Sequence, residues 1–466
     1  MNNPFMYDEK PKEECGVFGI WSSGNQSISK MLYYGLIALQ HRGQESAGMV
    51  MCDRQGPLGN ISAHRGMGLV SEVFTDEVLG ELHGNIGIGH VRYSTTGESR
   101  VENAQPVFLN YLKGTLAFAH NGNIRNAGEI RKELQKKGAI FSGTTDSEVV
   151  AYRIAMERME TGSIEEAIIN VVEELRGGYA LLILSPQKLV GVRDPYGLKP
   201  LCLGKKDGAY ILSSESSAIL SCGGELIRDI EPGEIITITD EGIQSDFSLK
   251  KKKHAHCIFE YIYFARLDSV MDGISIYDAR IRGGKALAKR YPVEADVVTG
   301  VPESGITSAV GYAQEAGIPF QIVFYKNSYV GRTFIKPSQE ERMSAVHMKL
   351  SVLSDVVKDK RIVLIDDSIV RGTTITNLIT MLKKAGAKEV HVRISSPPFL
   401  YPCFYGTDVP DNKELIANEL TKDQICKKIG ADSLEYMYLE DLKEMTGDLP
   451  LCRACFDKNY PDESEL

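Results

Sequence analysis

Cys15 is followed by glycine and preceded by the polar, acidic stretch MNNPFMYDEKPKEE. If that stretch is removed, one residue carries both a thiol and a free α-amine. The amine titrates near neutrality, at about 7.7–8.0 for an unperturbed terminus. It can accept or relay the thiol proton, so no adjacent histidine is required. The intact peptide would offer only an amide, which has no basic lone pair. By itself such a cysteine is more often ordinary than nucleophilic. Three further segments change that balance. GHVRYSTTG brings Arg92, a cation suited to the carboxylate of an amino acid. AHNGN brings Asn121 and the flexible backbone of Gly122, a donor pair for developing oxyanion charge. GTTDSE brings Asp146, which can receive an ammonium. Singly these read as a surface arginine, an Asn-Gly turn and a helix cap; with Cys15 they read as a site.

A second chemistry lies in RIVLIDDSIVRGTTI, residues Arg361–Ile375. The apolar run Ile362–Ile365 predicts a central strand that delivers Asp366 and Asp367 at its C-terminal edge, where open α/β sheets bind ligands. Paired carboxylates can bind ribose hydroxyls or retain a hydrated magnesium ion. The following Ser368, Arg371, Gly372, Thr373 and Thr374 lead into a helix whose backbone N–H groups and hydroxyls can hold a phosphate. No GxxxxGK[ST] loop is present here, and a generic metal site is the competing reading. VPESG adds Ser304, a candidate for a metal or its water shell. KNSYVGRTF adds Lys326 and Arg332, both suited to pyrophosphate, and a predicted helix follows with Arg342 and Lys349. Closure of this segment would neutralise a leaving group and exclude water. Without the other segments these cations would be surface charges.

Nine cysteines are too few and too scattered for a secreted disulfide scaffold. Cys257 and Cys403 are remote from the C-terminal pair Cys452 and Cys455 in CRAC. A lone CxxC can be redox-active, zinc-binding or incidental, and four thiolates can hold zinc or an iron–sulfur cluster. Cys52, Cys202, Cys222 and Cys426 have no such company and read as structural or free.

The elements that must hold these groups alternate in type. CGVFGIW, IGIGHVRY, TLAFAH, YALLILS and KLVGVRD read as strands, with helices over Lys30–Gln40, Ser147–Arg158 and Ile164–Leu175. EPGEIITITDEGI predicts a hairpin, and the charged run near Lys250 a boundary. Beyond it ADVVTGVPESG, FQIVFY and RIVLIDDS alternate with helical stretches, the pattern of βα units around a parallel sheet. The chain after Glu414 reads as mainly helical.

With 466 residues, two or three compact units are expected. The net charge of −9 argues against general polyanion binding; KKKHAH at Lys251–His256 reads as a solvated linker, with no nucleic-acid module beside it. No apolar run approaches membrane-spanning length, and the first residues lack a secretory pattern, so a cytoplasmic protein is expected.

CGVFGI, LQHRGQESAG, GHVRYSTTG, HNGN and TDSE resemble the N-terminal-nucleophile glutaminase domain of glutamine amidotransferases. IDDSIVRGTT with KNSYVGRTFI resembles type I phosphoribosyltransferases, specifically the glutamine-dependent purine-pathway family. The resemblance spans Cys15 to Tyr460. It implies a propeptide at 1–14, a four-layer αββα glutaminase domain at 15–246 and an α/β phosphoribosyltransferase domain at 247–466. It implies Cys15 as nucleophile, Asn121 and Gly122 as oxyanion donors, and Arg92 with Asp146 on glutamine's α-groups. Lys326, Arg332 and the 366–374 loop would bind 5-phosphoribosyl-1-pyrophosphate, with Mg2+ at Ser304, Asp366 and Asp367. CIFEYIYFAR, YPCFYG and LCRACF resemble the branch carrying a [4Fe-4S] cluster, which implies Cys257, Cys403, Cys452 and Cys455 as its ligands. A homotetramer inhibited by purine nucleotides is also implied. Two positions depart from the pattern: Ser328 stands where arginine is common, and Glu303 where aspartate is. A glutaminase serving another acceptor and a nucleotide-sensing regulatory protein are the competing functions.

Overall fold

The computed structural model describes residues 15–24, 28–55, 59–93, 98–249, 252–327, 350–407 and 414–462. Its first half is built on two antiparallel sheets. In the seven-stranded sheet Gly16–Ser22 lies between Ala209–Ser213 and Ile86–Arg92, which in turn pairs with Ser46–Cys52. In the six-stranded sheet Gly114–Ile124 lies between Val107–Tyr111 and Gly177–Ser185. The inner faces meet through Val17, Ile88, Ala119 and Leu182, all fully buried. Each outer face is covered by helices. Leu32 and Leu36 of helix Ser29–Ala38 pack on the first sheet, and Ile154 and Val171 of helices Asp146–Glu160 and Ile164–Glu174 on the second. Each such side chain contributes about 1.5–3 kcal/mol of burial. The order helix, sheet, sheet, helix is the expected αββα sandwich. The predicted hairpin forms from Ile235–Thr239 and Gly242–Asp246.

The second half centres on a parallel sheet of Val297–Gly300, Arg361–Asp366, Glu389–Ile394 and Ser433–Tyr436. Along Arg361–Asp366, Val363 and Ile365 face the helices Ile276–Arg290 and Ser304–Ala316, while Ile362 and Leu364 face Thr373–Lys384. Cover on both faces is why this strand reads as an uninterrupted apolar run.

Two expectations need correction. FQIVFY does not add a strand of comparable length to the parallel sheet: Phe320 makes one isolated bridge to Val298, and Phe324–Lys326 then pairs antiparallel with Leu350–Val352. Ile322 and Tyr325 of that run are exposed, so its hydrophobicity is not core hydrophobicity. The C-terminal segment is not simply helical either. Ser433–Tyr436 joins the sheet as its last strand, with only Leu434 and Tyr436 turned inward, too short an alternation to read locally. The predicted helix with Arg342 and Lys349 lies outside the described residues, as do Ser328 and Arg332.

Candidate active site

Cys15 leads into the strand Gly16–Ser22, where Gly16 pairs with Val91, so its neighbour across the sheet is the end of the strand carrying Arg92. The thiol is buried and donates to the Tyr93 carbonyl at 3.5 Å. Burial pushes it up to about 11; the Tyr93 bond and Arg92 pull it down, and Asp146 and Glu45 push it up further. Arg92 and Asp146 are therefore both within electrostatic reach of the sulfur. At neutral pH the group is a thiol and needs a base.

Arg92 is buried and bonded to Glu45, a carboxylate that the sequence gave no reason to select. Asp146 opens its helix just after the Thr145 cap, accepting from Ile124 N at 3.0 Å and Ser147 N at 2.8 Å. Burial would raise its carboxyl, but His120, 3.6 Å away, and these amides hold it below the usual range. Both charges are thus ready for a zwitterion.

Asn121 and Gly122 lie within the strand Gly114–Ile124, not in a turn. Gly122 has φ +135, and a Cβ there would come within 2.0 Å of the Gly178 carbonyl, so the position excludes any side chain. Asn121 is fully buried, and neither of its side-chain polar atoms has a partner among the described residues. Ser46 Oγ, His90 Nδ1 and His120 Nε2 are likewise unpaired and buried nearby. Such a concentration of unsatisfied polar atoms marks a place built for a polar ligand. His90 Nε2 meets the His120 carbonyl at 2.9 Å, and burial pushes its pKa down to about 3, so the imidazole is neutral.

In the second half, Asp366 and Asp367 stand at the end of their strand, both buried. Asp366 Oδ1 accepts from Asp367 N at 2.9 Å, and Asp367 Oδ1 from Ser368 Oγ at 2.6 Å. The chain then curls over a cavity of about 240 Å³ lined by Asp366, Ser368, Gly372 and Thr374 before helix Thr373–Lys384 begins. The turn before Ser304 is held at the same sheet edge, with Val301 N donating to Ile365 O at 2.9 Å. Lys326 pairs with Glu303 at 3.0 Å, and Arg371 with Glu414.

Residues that the sequence reading passed over connect the halves. Arg42, within LQHRGQESAG, is buried; its Nε donates to the Cys15 carbonyl at 3.2 Å and its Nη2 to Glu260 at 2.6 Å. Glu215 accepts from Arg42 at 2.6 Å and also from Ser269 Oγ at 2.7 Å. Glu260 begins the π-helical turn Glu260–Phe264, whose carbonyls at Tyr261 and Tyr263 accept from Arg280 at 3.0 and 2.9 Å. Burial lowers Arg280 to about 10, with Asp367 the largest opposing influence. Only motif membership of Arg42 was visible in advance.

Cys257, Cys403, Cys452 and Cys455 line one cavity of about 430 Å³, beside Lys199 and Phe259. Burial pushes Cys452 up to about 12. Among the described residues, no group of three or more His, Cys, Asp or Glu side chains is arranged to hold a metal ion. Cys52, Cys202 and Cys222 are buried separately in the first half. No helix among the described residues is long and apolar enough to cross a membrane.

The glutamine amidotransferase domain family matches residues 90–221, and the phosphoribosyl transferase domain family residues 275–395. The chain is 48% identical to the amidophosphoribosyltransferase of Methanocaldococcus jannaschii, over 96% of this chain and 98% of that one. It is 46% identical to the amidophosphoribosyltransferase of Bacillus subtilis, over 97% and 94%. A solved structure of the glutamine phosphoribosylpyrophosphate amidotransferase from B. subtilis, complexed with ADP and GMP, superposes with a TM-score of 0.89 at 45% identity, covering 96% of this chain and 97% of that one. With a glutaminase-type sandwich and a phosphate-cupping parallel sheet in one chain, matched nearly end to end, the protein belongs to the amidophosphoribosyltransferase family.

Proposed function

We propose that the chain hydrolyses glutamine at Cys15 and passes the ammonia to 5-phosphoribosyl-1-pyrophosphate, giving 5-phosphoribosylamine, glutamate and pyrophosphate. The observation that carries this reading is Arg42, one buried guanidinium bonded to both the Cys15 carbonyl and Glu260 of the phosphoribosyl half. A thiol held up by burial needs a base beside it, and removal of residues 1–14 would supply the Cys15 α-amine. The sulfur attacks the side-chain carbonyl of glutamine while the thiol proton passes to that amine. Asn121 Nδ2 and the Gly122 N–H hold the oxyanion. The amine returns the proton to the departing nitrogen, leaving ammonia and a thioester that water hydrolyses to glutamate. Arg92 and Asp146 grip the α-carboxylate and α-ammonium.

Ammonia must travel uncharged, because ammonium has no lone pair. At the second site it attacks C1 of the sugar as pyrophosphate leaves. Asp366 and Asp367 hold the ribose hydroxyls; Ser368, Gly372, Thr373 and Thr374 hold the 5-phosphate, with Arg371 beside them. Lys326 and Arg332 take the pyrophosphate. Ser304 and the two aspartates are held at one sheet edge, which fits a hydrated magnesium ion that would neutralise the leaving group.

The cysteine cavity fits a [4Fe-4S] cluster better than a lone ion, because a cluster spreads its thiolates more widely than one metal does. Its iron would supply the charge that buried thiolates lack, in a structural role, since the reaction moves no electrons. The nucleotides in the B. subtilis relative support inhibition by purine nucleotides; a homotetramer and a cytoplasmic location complete the reading.

The deciding experiment supplies processed protein with amide-15N glutamine, magnesium and phosphoribosyl pyrophosphate. Label on the sugar, with stoichiometric glutamate and pyrophosphate, is expected. Label released only as free ammonia overturns the coupling.

A further inference from the structure

The strand bearing Asn121 and Gly122 does not end among residues of its own half. Asn123 Nδ2 donates to the Phe404 carbonyl at 2.9 Å, one residue beyond Cys403. The Arg125 guanidinium lies 5.5 Å from the centre of the Phe404 ring. Two residues on, Gly406 faces Gly122 directly: a Cβ on Gly406 would stand 3.1 Å from the Gly122 carbonyl carbon and 3.2 Å from its Cα. Gly178, the residue whose carbonyl excludes a side chain at Gly122, has Tyr405 on its other side, where a Cβ would come within 3.2 Å of Tyr405 Cβ. The loop is itself fixed at the cysteine end, where Tyr405 N donates to Cys403 Sγ at 3.4 Å.

We propose that residues 403–407 form a strut that fixes the oxyanion donors, so that ligation of Cys403 sets the geometry of glutamine hydrolysis at the other site. Asn123 and Gly406 are positioning residues that act through Asn121 and Gly122. A strand edge that must present an N–H and an amide to a transient oxyanion cannot shift by a fraction of an ångström without loss. A misplacement of about 1 Å can cost about 100-fold in rate. The strut holds that edge from behind, and Cys403 anchors the strut. This rests on the reading of Asn121 and Gly122 as oxyanion donors and of Cys403 as a cluster ligand.

The test uses processed, cluster-loaded protein and three variants. N123A removes the donor to Phe404, G406A pushes a methyl group against Gly122, and N121A removes the proposed oxyanion donor itself. N123A and G406A are each expected to lower kcat for glutamine hydrolysis about 10- to 100-fold, with KM for glutamine changed by less than about 3-fold. Synthesis from supplied ammonia should stay within about 2-fold of the parent, since no donor in that reaction is disturbed. A second readout needs no turnover. Hydrogen exchange of the amides at 121–124 should accelerate in N123A, and also in the parent chain after air oxidation of its iron, while amides in the helix Ile276–Arg290 stay protected. Glutamine hydrolysis intact in N121A would overturn the donor assignment and the strut with it. Loss in N121A with N123A and G406A unchanged would overturn the strut alone. So would exchange at 121–124 unaffected by oxidation, or an equal fall of both activities in N123A.

Discussion

Arg42 and Glu260 form a buried, two-pronged ion pair across the junction of the two halves, at 2.6 and 3.0 Å, 218 residues apart in the chain. The third donor of the same guanidinium holds the carbonyl of Cys15. The amidotransfer nucleophile is thus bolted to the phosphoribosyl half through a single side chain, with Glu215 completing its charge balance.

Removing one partner of that pair strands a buried charge. E260Q should cost about 3 kcal/mol of stability, toward the low end for a broken buried pair because Glu215 remains. It should also lower glutamine-supported synthesis more than ammonia-supported synthesis. Thermal unfolding and the two assays check this; an unchanged melting temperature with unchanged activities would dismiss the bolt.

For the nucleophile, C15A should abolish synthesis from glutamine, by at least about 10³-fold, while synthesis from supplied ammonia continues. Full glutamine-supported turnover in C15A would remove Cys15 from its role.

At the second site, D366N and D367N should each depress synthesis from both nitrogen sources by about 100-fold or more. D367N should in addition destabilise the fold, because Arg280 then loses its strongest electrostatic partner. Ammonia-supported activity at the parental rate in both variants would reject the carboxylate assignment.

His90 gives a pH prediction with a definite sign. Its folded pKa lies at about 3, below its ordinary value of about 6.5, so the unfolded chain binds the proton more readily. The contribution is present in full above about pH 6.5 and is lost as pH falls toward 3, by roughly 1.4 kcal/mol per pH unit within that window. H90Q keeps a donor toward the His120 carbonyl but cannot titrate. Its stability should decline less between pH 6.5 and 4 than the parent's; parallel curves would show that His90 does not set the acid limit.

The cysteine cavity can be tested on anaerobically isolated protein by metal content and visible absorption. About four irons per chain with the broad absorption of a cluster are expected, and C403S should lose both. Stoichiometric zinc without iron would exclude the cluster.

Chain chemistry was legible where the determining contacts are local. The strand before Asp366 announced itself because both its faces are buried, and the glycine and threonines after it because a helix start needs them. The segments carrying Cys15, Arg92, Asn121 and Asp146 could be picked out by residue type, and the sandwich brings them to one place. Local pattern could not show that Asn121 and Gly122 lie in a strand, since Asn-Gly is also a turn signal. Nor could it tell the exposed run after Pro319 from a core strand, or reveal the short edge strand Ser433–Tyr436.

What the sequence determined by itself was therefore the two kinds of chemistry, the layers that carry them and the four cysteines worth grouping. Only the tertiary structure decided how the halves are joined: Arg42 to Glu260, Arg280 beneath the Asp367 loop, Asn123 against Phe404. These contacts depend on which faces meet after two domains have folded. Hydrophobic period and turn chemistry encode the inside of each domain but carry no record of which polar side chains will be buried together between them.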